Sequence, residues 1–401
     1  MFGLRLHSPS ASFEPSFPVI TYPPSSTDPS RDLGPDLGPP DSVTPRAAVR
    51  QVQFRYSKDF PNILSHLGGS LLMSTYAAGK VITVAMADGD VSLGFANFDK
   101  AMGLAIGSGV VAVCTRSDVC ILRDVQSSAP QIPPAGRYDR GYALRHRLHT
   151  GDIAGHELAF APEEAGDSVP PLWLVNTLFS CLCTLDGRHS FVPRWRPPFI
   201  TELAPEDRCH LNGMAFDREP IAVTVLGQTD HARGWRENKA AGGAVMDCST
   251  GEVIADGLCM PHSPRVHPDH PGKLFVLDSG RGGLLQIDRG TGQSQLIERY
   301  PGYGRGLAIT RQFAIVGMSR ARETSTFGGV PICDRPEEMK CGVVVIDLLT
   351  GKSVAYLELT AGVDELFDVQ FLPSATHPVL IGPHAITDGH DPVWVVPPSV
   401  A

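Results

Sequence analysis

Three histidines of this 401-residue chain stand at or just before short runs of similar shape: His156 in GHELAF, His210 in RCHLNG and His262 in MPHSPR. Neutral imidazole is the commonest protein metal ligand, and three converging imidazoles hold Zn²⁺ with one position open. Asp368 in DVQFLP is a fourth candidate ligand. Asn212 and Asp368 with Glu157 make an oxygen-rich alternative suited to Ca²⁺ or Mg²⁺. Against both stands a structural reading in which the imidazoles hydrogen-bond backbone groups, because no short ligand motif such as HExxH is present.

Arg305, in GYGRGL, has the planar fork that pairs with a carboxylate or phosphate, or with Asp368 or Asp278 of the chain itself. Glu157 or a histidine left free of the metal would serve as general base. Tyr76 and Asn176 end apolar runs (LLMSTY, WLVN), where a polar group reaches a pocket rim or caps a strand. Asp278, Arg320 and Glu323 lie at similar ends. Asn212, Arg265, Trp235, Lys239 and Arg320 complete the expected substrate contacts. Trp235 and Lys239 belong to a polar insertion, GQTDHARGWRENKAAGG (227–243), of the kind that builds binding sites on a rigid scaffold. Cys181 and Cys183 (SCLCTL) point to one face of a regular strand, and a lone CxC pair reads as buried packing before metal or redox use.

These residues need a frame, and a repeat supplies it. MGLAIG at 102, HELAFA at 156, NGMAFD at 212, SPRVHP at 263, RGLAIT at 305 and DVQFLP at 368 share one local shape, at spacings that four-stranded propeller blades occupy. A stronger apolar strand follows each run, then a third strand ending in Asp and a Thr-Gly turn. The turn reads DCSTGEV, DRGTGQS and DLLTGKS, with LDGRHS as a degenerate copy. The sixth run lies too near the C-terminus to start a blade of its own, and the strands after residue 69 lack an inner partner. The predicted fold is therefore all-β, a six-bladed β-propeller closed by the C-terminal run joining the N-terminal blade. The stretch 124–150 is long enough to hide a seventh. Aligned on their apolar pairs, the six runs put Met102, His156, Asn212, Ser263, Arg305 and Asp368 around one opening. Core packing alone does not select such a ring.

Residues 1–48 carry ten prolines and no sustained periodicity, so they read as a disordered leader ahead of a single propeller domain from 49 to 401. A formal charge of −9 without a basic stripe argues against nucleic-acid and membrane partners. No long apolar run or export signal is visible, and nine cysteines without a framework suit a reducing cytoplasm. Neither a phosphate-binding glycine loop nor a dinucleotide fingerprint stands in proper context, so no nucleotide or flavin is expected. A small polar or anionic molecule is the expected partner.

The blocks STYAAGK (74–80), NFDKAMGLA (97–105), VNTLFSCLCTLD (175–186), APEDRCHLNGMA (204–215) and MPHSPR (260–265) resemble an uncharacterised family of bacterial conserved hypothetical proteins. That resemblance implies no activity. At fold level the chain is similar to lactonase-type and amidating-lyase-type propellers, which carry a divalent metal at the axis. The likeness implies that His156, His210 and His262 stand where the lyase type has zinc histidines, although they fall at different offsets in the aligned runs. The expected activity is a metal-dependent lyase, hydrolase or isomerase, and the alternative is a non-catalytic propeller that binds a metabolite or protein through the same face.

Overall fold

Six small antiparallel sheets surround one axis in this computed structural model, which describes residues 51–162, 171–267, 269–310, 312–320, 328–391 and 393–396. The leader read over 1–48 lies outside the described residues, except for the two-residue strand Val19–Ile20 paired with Trp394–Val395, and Glu323 lies outside them too. In chain order the inner strands are Leu104–Gly107, Gly155–Phe160, Leu211–Asp217, Pro261–His267, Tyr303–Ile309 and Asp368–Pro373. All six sequence runs are inner strands.

Closure follows the predicted route. Asp368–Pro373 pairs antiparallel with Gly69–Thr75, in the register Asp368 with Ser74 and Pro373 with Gly69, so the first blade combines both ends of the domain. Two further strands reinforce this join. Gln53–Tyr56 adds a fifth strand to the sixth blade, and Pro378–Ile381 adds a parallel fifth strand to the second. The blades flanking the closure thus have covered edges. The stretch 124–150 holds a short 3₁₀ turn and the strand Arg140–His149, which belongs to the second blade, so among the described residues there is no seventh.

Strand alternation places the core between blades. Leu71 and Met73 pack toward the sixth blade with Ile315, Val343 and Val345, whereas Leu72 between them packs toward the second with Val111, Val113 and Leu122. The recurring Asp-x-x-Thr-Gly turn has a local cause. In each copy the Asp carboxylate accepts the N–H groups two and three residues on: Asp247 from Ser249 and Thr250, Asp288 from Gly290 and Thr291, Asp347 from Leu349 and Thr350. The Gly that follows Thr has φ of +75°, +72° and +65°, a region that a Cβ disfavours. One element differs from the all-strand expectation: Phe60–Leu67 is an α-helix, with Pro61 in its first turn and Gly68 as a left-handed C-cap. Phe60 and Leu64, one turn apart, bury its apolar side against the first and sixth blades.

Candidate functional site

A cavity of about 460 Å³ lies where the inner strands begin, and all six blades contribute to its wall: Phe367, Met102, His156, His210, His262 and Arg305 come one from each. The site is therefore axial.

His156 is 7% exposed and His262 is 4% exposed, and both are held by the same device. His156 Nδ1 lies 3.0 Å from the carbonyl of Ala154 and 2.7 Å from Thr177 Oγ1. The Thr177 hydroxyl donates to the Leu211 carbonyl at 2.6 Å, at the start of the next inner strand. With that hydrogen committed, Nδ1 of His156 must be the donor, and Nε2 keeps its lone pair for the cavity. His262 repeats this with the Met260 carbonyl at 2.9 Å and Ser279 Oγ at 3.2 Å, and Ser279 donates to Gly304 O at 2.7 Å. The offset between the two aligned runs is matched across the pair. Thr177 lies three residues past Leu174, the partner of Leu158, and Ser279 lies four past Phe275, the partner of Arg265. Ala154 and Met260 both adopt φ of +50°, strain that turns their carbonyls onto the rings.

His210 is anchored differently. Its Nδ1 lies 2.9 Å from Asp207 Oδ1, and the other oxygen of Asp207 accepts the Trp235 indole N–H at 3.0 Å. Trp235, 2% exposed, is carried by the 3₁₀ turn of the 227–243 insertion and packs against His210 with ring centroids 4.5 Å apart. His156 and His210 meet edge-to-face at 5.1 Å. Sequence reasoning missed Asp207, and its signal was the Asp-x-x-His spacing of Asp207 and His210.

Arg305 is the cation of the cavity. Its guanidinium lies 3.8 Å from the centroid of the Phe367 ring, and it has no hydrogen-bond or ion-pair partner among the described residues. Asp368 and Asp278, the internal partners considered for it, are engaged by Arg265 and Arg281. Burial first, then His210 and Arg305, hold the His156 imidazole well below its ordinary pKa, and burial followed by Arg305 does the same to His262. Both are neutral at pH 7. Burial also lowers Arg305 from its high ordinary value, and a guanidinium remains charged. Tyr76 stands at the rim, 40% exposed, with the Lys100 ammonium over its ring at 4.1 Å.

Other predicted site residues are turned away from this cavity. Glu157 accepts the Met214 N–H at 2.7 Å and pairs with Arg265 at 3.0 Å, and Arg265 also reaches Asp368 at 3.8 Å. Asp368 further accepts the N–H groups of Leu104 and Val369. Burial raises its carboxyl well above the ordinary range, with Arg265 opposing. Arg265 thus joins the inner strands of the third and first blades to that of the fifth across the axis. Glu157 and Asp368 also accept N–H groups of the next inner strand, so Glu157 is not placed as a base, Arg265 as a substrate contact or Asp368 as a fourth ligand to the histidines. Asn212 bridges Pro261 O and Thr224 Oγ1 between the fourth and fifth blades. Asn176 accepts the Phe179 N–H in a strand-end turn. Arg320 is held by Asp364 and Leu359 O. Lys239 lies on the insertion but outside the cavity wall. Cys181 and Cys183 share one face, packed with Cys114 between the second and third blades, and burial pushes the Cys181 thiol up to about 12. Among the described residues no group of three His, Cys, Asp or Glu is placed to hold a metal ion, and no helix is long and apolar enough to cross a membrane.

Residues 58–381 match the family described as Domain of unknown function (DUF4915), and the chain belongs to that family. No curated protein matches the sequence. Among solved structures, a nidogen/laminin complex is similar at 12% identity and a TM-score of 0.46, over 77% of this chain and 99% of that one. A protein of unknown function from Bacteroides caccae is similar at 9% identity and 0.45, over 76% and 99%. Kuenenia stuttgartiensis hydrazine synthase is similar at 12% and 0.42, over 83% and 94%.

Proposed function

We propose that this member of the DUF4915 family binds a small anionic metabolite in the axial cavity and performs proton-transfer chemistry on it, of lyase, hydrolase or isomerase type. The observation that carries this reading is the guanidinium of Arg305, which faces a cavity among neutral imidazoles with no partner among the described residues. The guanidinium is half-buried and carboxylates such as Glu365 act on it only through space, so its hydrogen-bonding edge is left for an anion to complete. Arg305 anchors the anion. His210 is the acid–base group: its Nε2 accepts a proton from the bound molecule, the Asp207 carboxylate stabilises the resulting imidazolium, and the same nitrogen returns the proton to another atom of the product. His156 and His262 fix orientation through Nε2, and Trp235 covers the dyad.

A second reading is metal assistance. It is favoured by the tethering of all three Nδ1 atoms to carbonyl, hydroxyl or carboxylate oxygens, the arrangement that ligating imidazoles use. The donor set does not fit one ion as it stands, because no three ligands converge and the positive charge of Arg305 lies near two of the rings. Elemental analysis of untagged protein separates the readings, since stoichiometric zinc, calcium or magnesium speaks for the second.

The test of the first is calorimetric titration of wild type and Arg305→Met with a panel of small carboxylates at pH 7.5. At least one should bind wild type and weaken by about 10- to 100-fold in the variant, the worth of a charge-assisted pair. Equal binding, or none, contradicts the reading. Binding without turnover of any bound molecule leaves the non-catalytic alternative.

A further inference from the structure

Resting on that anion-binding reading, we infer that the ligand is a hydroxy carboxylate with a flat apolar body, and that phosphate-type anions are excluded. The cavity contains one cation away from the rim, and its surroundings limit what can pair with it. Phe367 covers one face of the Arg305 guanidinium, so partners approach its edge, where two parallel N–H groups match the two oxygens of a carboxylate. Arg116 and Arg236 also line the cavity, but both are exposed: Arg116 turns toward Asp99 at 3.8 Å, and Arg236 lies over the Trp235 ring at 5.2 Å.

The imidazoles decide the rest. Nδ1 of His156 and of His262 is committed as a donor, so each presents an Nε2 lone pair to the ligand. His210, with Nδ1 on Asp207, does likewise. Glu365 and Asp207 add carboxylate oxygens to the wall. A phosphate offers several acceptor oxygens to a wall that is itself mostly acceptors, and only the Arg305 edge answers them. A molecule with one carboxylate and a nearby hydroxyl satisfies both sides, with the carboxylate on Arg305 and the O–H donating to an Nε2. The remaining wall is apolar and aromatic (Met102, Leu226, Met260, Trp235, Tyr303), which suits a planar hydrocarbon body in place of a sugar or a second charge.

Three probes test this by calorimetry on the full-length wild-type chain at pH 7.5: mandelate, phenylacetate and inorganic phosphate. Mandelate should bind about five- to tenfold tighter than phenylacetate, one neutral hydrogen bond, and phosphate on the order of a hundredfold weaker than mandelate. In whichever of His156→Phe, His210→Phe or His262→Phe removes the nitrogen that takes the hydroxyl, the preference for mandelate should vanish while phenylacetate binding persists. Phosphate equal to mandelate, or no preference for the hydroxyl in wild type, overturns the inference and leaves anion binding standing. If none of the three binds, the anion reading itself fails and this inference with it.

Discussion

Lowering the pH from 7.5 to 5.5 should destabilise the protein through two particular imidazoles. His156 and His262 are buried beside Arg305, and both are held well below the ordinary imidazole range. An unfolded chain takes up a proton at each of these positions below about pH 6.5, whereas the folded chain refuses it. The sign follows: the stability is intact above pH 6.5 and is lost as pH falls toward the depressed folded values. Over this interval each site removes about 1 kcal/mol and the pair roughly 2–3 kcal/mol. The perturbation is the combined variant His156→Gln and His262→Gln, whose side chains do not titrate. Urea unfolding of wild type and variant at both pH values isolates the effect, because every other titrating group contributes alike to both. The wild type should lose roughly 2–3 kcal/mol more than the variant on acidification. Equal losses would show that the folded protein protonates these rings freely, and the picture of neutral acceptors around the half-buried Arg305 would fall.

Three other changes probe the frame. Asp207→Asn removes the carboxylate shared by His210 and Trp235, so it should cost about 1.5–3 kcal/mol and move the His210 proton from Nδ1 to Nε2. Urea unfolding and ¹⁵N spectra of the ring report the two effects, and an unchanged tautomer would contradict the dyad. Arg265→Met leaves Glu157 and Asp368 buried without their cation and should cost about 3–5 kcal/mol at pH 7.5. The cost should be smaller at pH 5, where Asp368, already raised by burial, is protonated; a loss equal at both pH values argues against the cluster. Truncation after Leu359 removes both Asp368–Pro373 and Pro378–Ile381, exposing Gly69–Thr75 and Arg140–His149. Gel filtration should show aggregation, and a soluble, cooperatively unfolding monomer would refute closure by the C-terminal run.

Why the ring was legible and its use only partly so comes down to what a strand pattern encodes. The repeat of the inner runs is set by packing between blades, so it marks the axis and the closing strand directly. The Asp-x-x-Thr-Gly turn was legible because its chemistry is local. The helix Phe60–Leu67 was not: two buried residues at i and i+4 make too short a period to stand out. The edge strands Gln53–Tyr56 and Pro378–Ile381 are four residues each and exist because open edges were available. At the site, position in a run gives distance along the axis but not which neighbour a side chain meets. His156 and Arg305 reach the cavity, whereas Asp368, Asn212 and Glu157 turn to the adjacent inner strand. Asp207 lies in a loop outside every run and joins the site only through His210 and Trp235.

A crystal structure of the protein with mandelate bound would locate the ligand outright. It should show the carboxylate paired edge-on with the Arg305 guanidinium above Phe367, and the hydroxyl within hydrogen-bonding distance of a histidine Nε2. A ligand seated elsewhere with Arg305 unpaired, or an ion held by His156, His210 and His262 with Arg305 swung aside, would contradict it.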